Sequence, residues 1–257
     1  MNRINTLFNS NKKDLLSIYF CAGYPCLDNT VEVIKTLAQN GVSMIEIGIP
    51  FSDPMADGVV IQNAATQALK NGMSLKLLFS QLKDVRQEVE IPLVFMGYLN
   101  PILQYGFENF CKACAACGID GVIIPDLPFA EYMSEFKPIA ELYGVHIIML
   151  ITPETSEERI RLIDQNTDGF IYMVSSAATT GAQQDFEGEK EKYFEKIQNL
   201  QLHHPRMIGF GISNKQTFET SCKYASGAIV GSKFVSLQAE TNDTAQAIAQ
   251  LKLALGN

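Results

Sequence analysis

Short apolar runs recur at regular intervals along this chain, and that recurrence limits its fold more than any other feature. Eight are read, at residues 16–21, 44–49, 93–96, 122–125, 145–151, 169–174, 207–210 and 228–231. Most contain Ile or Val and stop at Gly, Pro, Ser or Asp, as strands buried on both faces do. Between them, apolar residues fall at helical spacing over 29–40, 62–71, 74–89, 107–117, 132–143, 156–166, 187–200, 215–224 and 244–255. Gly41, Gly72, Gly118 and Gly144 stand where four of these helices stop. Strands alternating with helices imply parallel strands joined by helical crossovers. Eight such units close an α/β, (β/α)8 TIM barrel, and 257 residues is the length that one takes. The rival is an open doubly wound sheet, whose dinucleotide-binding form carries GxGxxG after its first strand. Cys21-Ala22-Gly23-Tyr24-Pro25 stands there instead. No linker or low-complexity tract interrupts the chain, so residues 1–257 are read as one domain.

Charge narrows the partners. Lys plus Arg is 20 against 28 for Asp plus Glu, a net charge of −8, and no basic block offsets it. Attraction to nucleic acid or to an anionic membrane is not expected. A small phosphate ester is still admissible, because a few backbone N–H groups hold a phosphate inside an acidic protein. No apolar stretch is long enough to span a membrane, and the N-terminus lacks a signal-peptide pattern. The expected location is the cytoplasm, with the six cysteines as free thiols.

One residue breaks the second run. In Met44-Ile45-Glu46-Ile47-Gly48-Ile49 the three Ile residues share a face, and Glu46 takes the other. If the Ile face meets the helices, Glu46 points into the barrel, where poor hydration raises its pKa and suits it to proton transfer near neutrality. The plain alternative is a buried Glu paired with a basic side chain or a hydrogen-bonded network. Asp53 and Asp57 follow in a long loop, close enough to reach the mouth above Glu46. Two carboxylates in different settings divide such work, although Asx-turns before Pro54 and Gly58 explain both Asp residues equally well. Tyr172, in the sixth run, either lines the same pocket or fills the core. Glycines follow the last two strands, in Gly209-Phe210-Gly211 and Gly231-Ser232, where barrels often bind phosphate. Loops 50–61 and 175–188 are long enough to act as lids.

Other chemistries find little support. Cys111, Cys114 and Cys117 recur every three residues, but the fourth ligand and terminal Cys-Pro of an iron–sulfur run are missing, so small buried cysteines are expected. The three histidines lack ligand spacing, and no metal centre is expected. None of the eight runs carries a Lys for a Schiff base.

Residues 45–58, Ile-Glu-Ile-Gly-Ile-Pro-Phe-Ser-Asp-Pro-Met-Ala-Asp-Gly, together with Pro125-Asp126-Leu127-Pro128, Gly209-Phe210-Gly211-Ile212 and Gly231-Ser232, carry a close resemblance to the tryptophan synthase alpha-subunit family. The resemblance extends over almost the whole chain. It implies a TIM barrel with an additional N-terminal helix plugging its bottom. The activity it implies is retro-aldol cleavage of indole-3-glycerol phosphate to indole and glyceraldehyde 3-phosphate. Glu46 then corresponds to the general acid/base, Asp57 to the carboxylate that accepts the indole N–H, and Tyr172 to a pocket tyrosine. Phe20, Gly181, Phe210, Gly211, Gly231 and Ser232 correspond to substrate- and phosphate-holding positions. Asp53, Pro54 and Thr180 match partner-coupling loops. The implied partner is a beta subunit in an α2β2 complex, which carries pyridoxal phosphate; the alpha chain needs no cofactor. Ser176, Val59 and Tyr24 stand where Arg, Pro and Asp are common in the family. Two other readings are a different phosphate-binding barrel enzyme, which often uses a strand Lys, and a catalytically silent barrel serving as an allosteric partner.

Overall fold

Every residue of the first strand, β1 (Leu15–Cys21), is buried. The same is true of β2 (Met44–Gly48), β3 (Leu93–Met96) and β4 (Gly121–Ile123). A strand covered on both faces gains nothing from alternating polar residues, which explains the unbroken apolar runs. The computed structural model describes residues 2–10, 12–175 and 186–256. The remaining strands are β5 (His146–Ile148), β6 (Leu150–Ile151), β7 (Ile171–Val174), β8 (Arg206–Gly209) and β9 (Gly227–Val230).

All described strand pairs are parallel, in the order β5-β4-β3-β2-β1-β9-β8-β7-β6. The two ends of that order are consecutive in sequence, with only Met149 between them. Residues 146–148 pair with β4 and residues 150–151 with β7, so β5 and β6 form one stave and the sheet closes. The molecule is a (β/α)8 barrel of eight staves. The run read as one strand over 145–151 is one stave with two ladder segments.

Helices α1 (Arg3–Asn9), α2 (Thr30–Gln39), α3 (Val59–Lys70), α4 (Leu75–Leu82), α5 (Leu99–Tyr105) and α6 (Phe107–Cys117) accompany the first half. The second half has α7 (Phe129–Glu131), a π-helical turn (Tyr132–Phe136), α8 (Lys137–Leu142), α9 (Glu157–Asn166), α10 (Phe186–Asn199), α11 (Lys215–Tyr224), α12 (Ser232–Thr241) and α13 (Thr244–Leu255). Local chemistry sets several ends. The side chains of Ser74, Ser156, Asn214 and Asp243 accept hydrogen bonds from the first-turn N–H groups of α4, α9, α11 and α13. Gly41, Gly72, Gly118 and Gly144 all take the positive φ expected of helix stops.

Helix α1 closes the N-terminal end of the barrel. The Asn2 side chain caps it by accepting from Ile4 N–H at 2.9 Å and donates to the Asp120 carbonyl at 2.7 Å. Ile4 is fully buried, and Phe8 stacks 5.5 Å from Phe170. A Cβ on Gly121 or Gly169 would come within 2.9 or 3.0 Å of Ile4, so these glycines make the room that Ile4 fills. Beside it, buried Asp120 accepts from Leu93 N–H at 2.9 Å and pairs with both Arg86 and Arg3. With this end plugged, the opposite end, outside the strand C-termini, is where a site can open.

Candidate active site

Cross-strand register decides which side chains line the barrel. Phe95 faces outward, because its ring meets Phe79 of α4 at 5.6 Å and Phe110 of α6 at 6.1 Å. Ile47 pairs with Phe95 and Phe20 pairs with Ile47, so both share that outward face. Glu46, paired with Val94 on one side and Tyr19 on the other, points inward. The Ile face therefore meets the helices, as the alternation predicts.

This register corrects one expected residue. Phe20, assigned above to substrate binding, is fully buried on the helix side of β1. The inward aromatic is its neighbour Tyr19. The signal was present in sequence: Ser17, Tyr19 and Cys21 form the less apolar face, and Leu16, Ile18 and Phe20 the more apolar one.

Glu46 is fully buried. Its Oε1 accepts from Ser17 Oγ at 3.5 Å, and its Oε2 has no partner among the described residues. Burial pushes the carboxyl up to about 8, with the Ser17 hydroxyl pulling weakly the other way. No basic side chain pairs with it among the described residues, which removes the plain ion-pair alternative. Tyr172 shares this interior. Burial and the charges of Glu46 and Asp57 hold its phenol protonated. A Cβ on Gly209 of β8 would come 2.0 Å from Tyr172 Oη, so glycine leaves the space the phenol occupies.

Asp57 is brought over the barrel mouth by a fastening that sequence reading missed. Tyr98, preceding α5, donates its hydroxyl to Asp57 Oδ2 at 3.0 Å and accepts from Ala56 N–H at 3.0 Å. Gln62 of α3 adds a hydrogen bond to the Asp57 carbonyl at 2.9 Å. Burial raises the Asp57 pKa, and the Tyr98 hydrogen bond opposes the rise. Asp53 lies on the exposed part of the same loop and accepts from Ser52 Oγ, while Pro54 is half-buried.

The expected phosphate positions gather around β8 and β9. Phe210 holds a positive φ of 69°, rare for a residue with a side chain, and Gly211 follows at 73°. Ser175 Oγ donates to the Phe210 carbonyl at 2.6 Å, and the Phe210 ring meets Tyr172 edge-on at 6.1 Å. Gly231 is the N-cap of α12, with Ser232 as the first helical residue and no side chain capping the helix start. Free N–H groups at such a start suit an anion. Thr180, Gly181 and Ser176 lie outside the described residues.

Cys111, Cys114 and Cys117 are buried in α6, where burial pushes the first thiol up to about 12. They behave as small apolar side chains. Among the described residues no group of His, Cys, Asp or Glu is arranged to hold a metal ion, and no helix is long and apolar enough to cross a membrane.

Comparison with known proteins agrees with this geometry. The family model described as tryptophan synthase alpha chain matches residues 5–257. A tryptophan synthase alpha chain from Bacteroides thetaiotaomicron is 71% identical over 255 residues, covering 99% of this chain and 100% of the relative. The crystal structure of the tryptophan synthase alpha chain from Legionella pneumophila superposes with a TM-score of 0.88 at 32% identity, covering 99% of this chain and 96% of that one. A chain in the crystal structure of the tryptophan synthase complex from Pyrococcus furiosus gives 0.84 at 32% identity, covering 95% and 98%.

Proposed function

This chain belongs to the tryptophan synthase alpha chain family, and from that premise we propose how its residues divide the alpha reaction. The enzyme is a carbon–carbon lyase of tryptophan biosynthesis, cleaving indole-3-glycerol phosphate to indole and glyceraldehyde 3-phosphate. Glu46 is the acid and then the base. Its protonated carboxyl gives a proton to the indole ring carbon that bears the glycerol chain. The ring becomes an iminium-like electron sink, and Asp57, accepting the indole N–H, steadies the positive charge. The carboxylate left on Glu46 then takes the proton of the adjacent chain hydroxyl. The C–O bond becomes a carbonyl, the carbon–carbon bond breaks, and its electron pair returns to the ring. Glu46 ends protonated, ready for the next turnover. Tyr172 lines the pocket beside the chain being cleaved.

Phe210, Gly211, Gly231 and Ser232, with Gly181, hold the phosphate in this reading. The uncapped start of α12 supports it. The family implies a beta subunit as partner. The assembly we propose is α2β2, with pyridoxal phosphate confined to the partner and no cofactor in this chain. Asp53, Pro54 and Thr180 couple the two sites, and the complex works in the cytoplasm.

The observation that carries the assignment is the inward, fully buried Glu46 whose carboxyl is pushed up to about 8. A base or acid poised near the working pH contributes about 10²–10⁴-fold. Glu46→Gln is expected to lower indole release by at least about a hundredfold while substrate binding persists. Asp57→Asn keeps a hydrogen-bond acceptor but loses the charge, and turnover is expected to fall less. Steady-state indole release from indole-3-glycerol phosphate, with and without a beta subunit, measures both. Wild-type turnover in Glu46→Gln would remove its acid/base role.

A further inference from the structure

Tyr19 has no task in the mechanism above, yet its side chain crosses the inner wall between the two halves of the proposed site. At one end, a Cβ on Gly231 would lie 3.5 Å from Tyr19 Cβ and Cδ1, so the base of the ring abuts the start of α12. At the other end, a Cβ on Gly48 would come 2.2 Å from Tyr19 Oη, so the hydroxyl lies over the glycine two positions beyond Glu46. Any side chain larger than hydrogen at position 48 would displace it. The hydroxyl has no hydrogen-bond partner among the described residues. It also differs from the hydroxyl of Tyr193, because Tyr19 Oη is not among the sealed, unpartnered polar atoms. Buried phenols generally find a partner. An unsatisfied donor that is not sealed in fits a partner that arrives with the ligand. Burial first, and then neighbouring groups that include Asp57 and Glu46, keep the phenol protonated, so it acts as a donor.

We propose that Tyr19 is a further substrate-positioning residue, its hydroxyl donating a hydrogen bond to the hydroxylated three-carbon chain that joins the phosphate to the indole. The inference rests on the placement proposed above, with phosphate at Gly231 and the ring carbon at Glu46. A ligand so placed runs its chain along Tyr19, from the base of the ring toward Oη. An alcohol oxygen next to the ring carbon is the acceptor that matches a neutral donor beside two carboxylates.

The test compares Tyr19→Phe with the wild type on two ligands. One is indole-3-glycerol phosphate. The other is 3-(indol-3-yl)propyl phosphate, a competitive probe with the same ring and phosphate but no chain hydroxyl. Loss of one neutral hydrogen bond is expected to lower kcat/KM for the substrate about five-fold. The inhibition constant of the probe is expected to stay within about two-fold, since the deleted hydroxyl has nothing to bind on it. An unchanged kcat/KM would overturn the inference, and so would a parallel weakening of the probe, which points to the ring's packing. Glu46→Gln is assayed alongside. Full activity in that variant faults the underlying site reading, whereas collapse of Glu46→Gln with Tyr19→Phe unaffected faults this inference alone.

Discussion

Glu46 shows how the proposed acid/base group weakens the fold that holds it. An unpaired carboxyl in a dry interior is tolerable only while it keeps its proton. Its value is 4.5 in an exposed setting and about 8 here, with burial as the main cause. Between those values the folded state holds a proton that the unfolded chain has released. Stability is therefore greatest below the lower value and falls as pH rises through the window, levelling off above the upper one. The loss is of the order of 2–5 kcal/mol. Glu46→Gln carries no such proton, so its stability curve should be flatter and should lie above the wild type at pH 9. Urea unfolding of both proteins at pH 6 and pH 9 checks this; equal pH dependence in the two would contradict it. The same residue explains what was readable in sequence. A single charge in a strand of Ile marks its own face, so the orientation of Glu46 was legible. In β1 both faces are apolar, and the substrate position implied by the resemblance, Phe20, lies one residue from the inward Tyr19 and on the helix side. Tyr98 was invisible for another reason: its hydrogen bonds to Ala56 and Asp57 span about forty residues, and no local pattern records them.

Among the elements, most helices with their own periodic core face were legible. The ranges read for α6, α11 and α13 agree with the structure at both ends. Helix α5 lies outside the helical ranges read from sequence; Pro101 sits in its first turn, where the N–H has no helical partner. Helix α12 also lies outside those ranges; Gly231 both follows β9 and caps the helix, so no turn separates them. Two long helical readings were also too continuous: residues 74–89 end as α-helix at Leu82, and residues 132–143 include a π-helical turn. Helix α1 is too short to hold itself in water; its order comes from Ile4, Phe8 and the Asp120 network. Ile4→Ala removes a fully buried side chain from a space bounded by Gly121 and Gly169, which have no side chains to move inward. The expected cost is about 2–4 kcal/mol, seen as a lower urea midpoint. Indole release should change little, because the floor lies at the far end of the barrel from Glu46. A loss of turnover without loss of stability would show that α1 acts on the site rather than on the fold.

The whole molecule divides its two ends between stability and exchange. The N-terminal end is sealed by α1. At the other end the loop that carries Asp57 on its inner side exposes Met55 at 89%, and Val59 at the start of α3 is 69% exposed. A groove of about 480 Å³ lined in part by Phe51, Met73 and Tyr105 runs beside it. An exposed methionine next to an apolar groove loses hydration cheaply on docking. Tyr98 fastens Ala56 and Asp57 of this loop, which links its outer side to the proposed site. We therefore expect this face to meet the beta subunit. Met55→Glu should weaken association by about tenfold or more, as loss of a buried apolar anchor does. Indole release by the isolated alpha chain should stay within about two-fold, because Met55 points away from the barrel and the Tyr98–Asp57 fastening is left in place. Titration calorimetry with the beta subunit, paired with the indole assay on the alpha chain alone, separates the two effects. Undiminished association in Met55→Glu would move the docking surface elsewhere. A matching loss in the isolated chain would mean that the inside of the loop, rather than its outer contact, had been disturbed.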